Sequence, residues 1–136
     1  MPAGRALRSC PEQAQLAALF EHLHYAFSAV AAGEERFHAI FLDHERTYLD
    51  DCVMACGHSA HLPVRLRDIF ARALAIGARA IIVSHNHPSG DCRPSRSDID
   101  ATRRLTEIAR ALDIELLDHL IFTREKVYSM RAGGKL

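Results

Sequence analysis

The chain has 136 residues, 49% hydrophobic and 25% charged, which is the size and apolar supply of one domain with a single core. Lys plus Arg and Asp plus Glu are both 17, so the formal net charge is zero with nine uncharged His left over. That balance argues against sequence-independent nucleic-acid binding, which leaves a basic excess, and the apolar content excludes a disordered chain.

No apolar run approaches the roughly 18 residues of a membrane span. Met1 to Cys10 lacks the apolar core of a secretory signal and reads as a flexible arm over 1–10, with one domain over 11–136. With no signal, the four cysteines (Cys10, Cys52, Cys56, Cys92) point to thiols in a reducing cytoplasm.

From Pro11 the pattern is helical: Leu16, Leu19, Phe20, Leu23, Phe27 and Val30 share one face, and Gly33 stops it. Phe37 to Leu42 is aromatic and branched, as a buried strand is. Thr47 to Cys56 reads as a weaker strand. Val64 to Ile76 carries a second amphipathic pattern, stopped at Gly77. Ala80 to Val83 is a compact apolar run and the expected centre of a sheet. Turn residues fill Ser84 to Ser95. Ile99, Leu105, Ile108, Ala109 and Leu112 mark a third helix, Ile114 to Thr123 a strand, and Lys126 to Met130 a last short strand. The order α-β-β-α-β-α-β-β predicts an α/β fold: a mixed central sheet flanked by helices in three layers.

Two histidines one residue apart, His85 and His87, follow the most apolar strand. In an extended chain such residues face the same side, about 7 Å apart at Cα, so two imidazoles can converge on one cation. Asn86 points the other way and is free to tie down backbone. Pro88, Gly90 and Pro94 turn the chain, and Asp98 then opens a helix that can fold back on the histidines. Two imidazoles and a carboxylate are a common zinc set that leaves a position for water. The same residues also suit plainer roles. Asp98 fits a helix N-terminus, and Ser95 with Asp98, or Ser97 with Asp100, fits a cap. There is no H-E-x-x-H and no deaminase signature.

The whole string, Ser84-His-Asn-His-Pro-Ser-Gly-Asp91 followed by Pro94, Ser95 and Asp98, resembles the RadC-like branch of the JAMM (MPN-plus) metalloprotease family. Glu35-x-Phe37, Phe41-Leu-Asp43, Arg67-Asp-Ile-Phe70 and Leu117-Asp-His119 extend the similarity over roughly Leu16 to Gly133. The resemblance implies a JAB/MPN fold, similar to cytidine deaminases, and one zinc ion per chain held by His85, His87 and Asp98. It implies a role for Ser95 in stabilising an oxyanion and for a glutamate as general base. The family pattern has that glutamate two before the Phe, which selects Glu35 over Glu34. The implied activity is zinc-dependent hydrolysis of peptide or isopeptide bonds in a peptide or protein substrate.

Asp118 and His119 match the family pattern, and Asp118 is a candidate to orient a zinc histidine. Cys92 stands where the family frequently has Pro. Cys52, Cys56, His58 and His61 are close in sequence, but an extended Cys52–Cys56 segment keeps the thiols roughly 13 Å apart. Arg103, Arg104 and Arg110 read as a solvated helix face. His22, His24, His38 and His44 show no partner pattern. The sequence shows no counterpart of the helix-hairpin-helix region that RadC-like proteins often carry. The competing reading is a RadC-like non-catalytic binding module in DNA recombination, repair or mobile-element biology. Retention of both histidines, Ser95, Asp98 and Glu35 favours the enzyme.

Overall fold

A computed structural model describes residues 12–57 and 64–136; the expected N-terminal arm, His58 and His61 lie outside the described residues. The elements follow the predicted order: α1 (Glu12–Ser28), β1 (Glu35–Leu42), β2 (Tyr48–Gly57), α2 (Leu66–Ala75), β3 (Ala80–Asn86), α3 (Arg96–Ala111), β4 (Glu115–Phe122) and β5 (Val127–Ser129). The strands form one sheet in the order β2-β1-β3-β4-β5, so β3 is central as its apolar run predicts. Its pairing with β4 is parallel, through the α3 crossover, and the other pairings are antiparallel.

Alternation along the strands divides the core into two. Phe37, Ala39, Phe41, Ile81 and Val83 pack with residues of α2 and α3 such as Ile69, Phe70 and Leu105. Ile40, Leu42, Ala80 and Ile82 face the other way and pack with Leu19 and Leu23 of α1, joined by Leu120 and Phe122. The result is three layers: α2 and α3, the sheet, then α1. No helix among the described residues is long and apolar enough to cross a membrane.

Two boundaries differ from the pattern reading, and both matter to chemistry. The central strand runs on to Asn86, because His85 is paired on both sides, with Phe37 of β1 and Ile121 of β4. Hydrophobicity ends at Val83, but the ladder does not. Helix α3 starts at Arg96, earlier than its first apolar residue, because Ser95 caps it. The Ser95 hydroxyl accepts from the Asp98 N–H at 3.0 Å, and an Asp98 carboxylate oxygen accepts from the Ser95 N–H at 2.8 Å. This is the reciprocal box that satisfies two otherwise unpaired helix donors; Ser97 does not take that role.

Candidate metal centre

The strand extension places His85 and the cap places Asp98. His87 follows from a turn closed by Gly90, whose N–H donates to the His87 carbonyl at 3.2 Å and whose φ of 87° suits glycine. The backbone N–H of His87 donates to the Phe122 carbonyl, fixing the turn to β4. His85, His87 and Asp98 converge at the carboxyl end of β3. Ligands characteristically bind beyond the carboxyl ends of strands in open α/β sheets. His85 Nε2 and His87 Nε2 are 2.9 Å apart; His87 Nε2 lies 3.1 Å and His85 Nε2 3.4 Å from the Asp98 carboxylate.

Hydrogen bonds behind the rings decide which nitrogens face inward as acceptors. Thr102 Oγ1 donates to the Asp98 carbonyl at 2.7 Å, so it accepts from His119 Nδ1 at 2.6 Å. A neutral His119 protonated at Nδ1 offers Nε2 as an acceptor, and His85 Nδ1 donates to it at 2.7 Å. His85 Nε2 is then a lone pair. His119 is held neutral by burial first, with the neighbouring His85 adding to it, which pushes its pKa down to about 3. On the other side, His87 Nδ1 donates to the Asp91 carbonyl at 2.8 Å, turning its Nε2 inward as well.

Two imidazole lone pairs and a carboxylate therefore point at one place, and a cation is what they fit. A proton can fill that role. The Asp98 hydrogen bond raises the His87 pKa against the opposing effect of burial. Burial alone would raise the Asp98 carboxyl, but its close approach to the His85 and His87 rings outweighs burial once the shared proton is in place and holds it well below the usual carboxylate range. A divalent metal fills the role better, since both rings can ligate at once. Nitrogen and oxygen donors held by outer hydrogen bonds are the usual surroundings of zinc.

Glu35 opens β1 on the face of Phe37, two residues on, and lines the same cavity of about 450 Å³ as His85, His87, Asp98 and Ser95. Asn86 fixes this start of β1: its Oδ1 accepts from the Arg36 N–H at 2.8 Å and its Nδ2 donates to the Glu34 carbonyl at 2.9 Å. The Glu34 side chain is 3.4 Å from Arg36 Nε, and Glu34 lines a separate cavity. Of the adjacent pair, Glu35 lines the cavity that holds His85, His87, Asp98 and Ser95, whereas the cavity that Glu34 lines shares only His87 of these.

One expectation is corrected. Asp118 does not orient a zinc histidine. Its oxygens accept from Ser129 Oγ at 2.5 Å and from the Arg131 and His119 backbone N–H groups, which ties the C-terminal turn to β4. The neighbouring His119 meets His85 instead, because it is His119 that faces the α3 side. Thr102 carries no motif signal in the sequence, although it lies one helical turn beyond Asp98 on the same face. Cys92 is half-buried in the loop and outside the converging group. Cys52 and Cys56 lie along the continuous strand β2 and join no metal-ligating group among the described residues. Arg104 is exposed, as a solvated helix face predicts, and it also contributes to the lining of the cavity that holds Asp98.

A family model described as the RadC-like JAB domain matches residues 12–135. An UPF0758 protein of Ruegeria pomeroyi is 42% identical over 115 residues, covering 84% of this chain and 51% of that protein. An UPF0758 protein of Rhodobacter capsulatus is 40% identical over 115 residues, covering 84% of this chain and 54% of that protein. The chain spans about half the length of these curated relatives.

Proposed function

Since the chain belongs to the RadC-like JAB family, we propose that its converging acceptors hold one zinc ion and that it hydrolyses peptide or isopeptide bonds. The observation that carries this reading is the fixed inward aim of both His Nε2 atoms at the Asp98 carboxylate. His85, His87 and Asp98 are the proposed ligands. A zinc ion in such a set supplies Lewis acidity and lowers the pKa of a water towards neutrality.

The remaining work falls to this chain's own groups. Glu35 stands in the same cavity as the ligands. As a carboxylate it accepts a proton from the attacking water and returns it to the departing amine, the two halves of general acid–base catalysis. Ser95 Oγ accepts from the Asp98 N–H, lies 3.1 Å from Ser97 Oγ and lines the cavity; with Ser97 as the donor between the two hydroxyls, Ser95 keeps its own proton to give. That proton is available to a developing oxyanion. Arg104 adds a positive charge at the wall, suited to an acidic or carboxylate-bearing part of a protein substrate.

Cys52, Cys56 and Cys92 are free thiols, which supports a reducing, cytoplasmic setting. The test is a proteome-wide cleavage screen of zinc-loaded wild type, chelated wild type and Glu35→Gln. New termini in the first sample alone support the reading. Identical termini in all three overturn it in favour of a binding module.

A further inference from the structure

The opposite face of the sheet carries a second set of the same composition. His22 comes from α1, His38 from β1 and Asp51 from β2. Both imidazole Nε2 atoms lie 2.7 Å from the same oxygen, Asp51 Oδ2. The other carboxylate oxygen accepts from the Tyr48 hydroxyl. The rings meet edge to face with centroids 6.0 Å apart. All three side chains are largely shielded, with 16%, 7% and 15% exposure for His22, His38 and Asp51. We propose that His22, His38 and Asp51 form a second binding site for a divalent transition-metal ion, zinc being the natural occupant, which clamps α1 to the sheet.

The composition is the first argument. Two imidazoles and a carboxylate are a set of borderline donors that suits zinc and its first-row neighbours and disfavours magnesium or calcium. The surroundings are the second. Two buried polar atoms in this region have no hydrogen-bond partner: His22 Nδ1 and Ser84 Oγ. Ser84, 1% exposed, is the cross-strand partner of His38, so its hydroxyl lies on the same face of the sheet. An ion or ordered water is a usual partner of a buried polar atom that protein leaves unpaired; His22 Nδ1 lies on the ring edge away from Nε2 and is not one of the ligand atoms, so Ser84 Oγ is the orphan on the ligands' side of the sheet. The third argument is mechanical. The ligands come from three separate elements, and the carboxylate is anchored from behind by Tyr48, as carboxylate ligands commonly are. Among the described residues, the helix also packs on the sheet through apolar contacts of Leu19, Leu23 and their neighbours.

The competing arrangement is a metal-free triad in which both Nε2–H groups donate to Asp51. Zinc stoichiometry of demetallated, reloaded protein separates the two, measured by elemental analysis and by calorimetric titration with zinc alone. The expected result is two ions per chain in wild type, one in His87→Gln and one in His22→Gln. His87→Gln leaves the α1 cluster intact, so this variant tests the proposal without disturbing its ligands. Zinc should also slow hydrogen exchange of the α1 amides at least tenfold in His87→Gln and not in His22→Gln. One ion in wild type and none in His87→Gln overturns the second site and leaves the first standing. One ion in wild type, kept in His87→Gln and lost in His22→Gln, does the reverse. Circular dichroism of each variant confirms that it is folded.

Discussion

The two faces of one sheet each carry two histidines and an aspartate, in different company. On the α3 face, each histidine of the His85–His87–Asp98 group has its outer nitrogen engaged: His85 through His119 and Thr102, His87 through the Asp91 carbonyl. On the α1 face, the two histidines share one oxygen of Asp51, and His22 Nδ1 has no partner. The first group has its lone pairs assigned before any ion arrives. The second can also close on itself by hydrogen bonds. The contrast teaches that donor identity is only half of a metal centre, and that the outer bonds decide how strongly a cation is required. It also separates chemistries, because the α3 face places a glutamate, Glu35, in the cavity with the ligands.

The largest effect should come from that glutamate. Glu35→Gln is expected to lower hydrolysis by about 10²–10⁴-fold, the range of a lost general base, with zinc content unchanged by elemental analysis. Loss of zinc together with activity would move Glu35 from proton transfer to metal binding. The outer bonds come next. Thr102→Val breaks the chain that ends at His85, and zinc affinity of the α3-face site should fall roughly 10–100-fold. Titration of the variant beside wild type checks this, and unchanged affinity would remove the claim that the chain sets the His85 tautomer.

Acid should distinguish the buried histidine. His119 sits at about 3 against an ordinary 6.5, so the unfolded chain takes up a proton that the folded chain refuses. Stability from this source is fully present above about 6.5 and is lost as pH falls towards 3. His87 in zinc-free protein acts oppositely: its raised pKa contributes stability below 6.5 that is lost as pH rises through the folded value. The melting temperature of zinc-free protein should therefore fall as pH drops from 6.5 to 4, and His119→Gln should flatten that limb. An equally steep limb in the variant would place the sensitivity elsewhere. The smallest effect belongs to the α1 face. Tyr48→Phe removes one hydrogen bond to Asp51 and should cost about 1 kcal/mol in urea unfolding, with zinc binding at His85 and His87 unaffected. A loss of ions from both faces would show that the two groups are coupled through the sheet.

The element order was legible because apolar periodicity changes cleanly between helix and strand along this chain. The central place of Ala80 to Val83 was legible from its unbroken hydrophobicity. The alternation that turns Asn86 away from the histidines suits it to tie down backbone, and its amide bonds the backbone of residues 34 and 36. The spacing of His85, His87 and Asp98 gave the converging set, because all three lie in one strand–turn–helix segment. What periodicity could not show was contact between distant segments. His119 and Asp118 were indistinguishable in sequence, since which of two neighbours faces α3 depends on register, and β4 shifts register against β3 between Ile81 and Ile82. His22, His38 and Asp51 were invisible for the same reason: three elements contribute one residue each, with no spacing for a pattern to catch.

The Asn86 amide has a consequence for how activity can be lost. Its two bonds continue the β1–β3 ladder by one side chain beyond the last backbone pair, Phe37 with His85. Side chains in a strand alternate, so a slip of β1 by a single residue would carry Glu35 to the far side of the sheet. His85, His87 and Asp98 would be untouched by such a slip, because none of them belongs to β1. Under the proposed function, the slipped molecule would still take up an ion at His85, His87 and Asp98, yet it would lack its proposed base. Asn86 is in this sense a guard against a metal-loaded but inert protein, and its failure would show in turnover while every assay of metal content read normal.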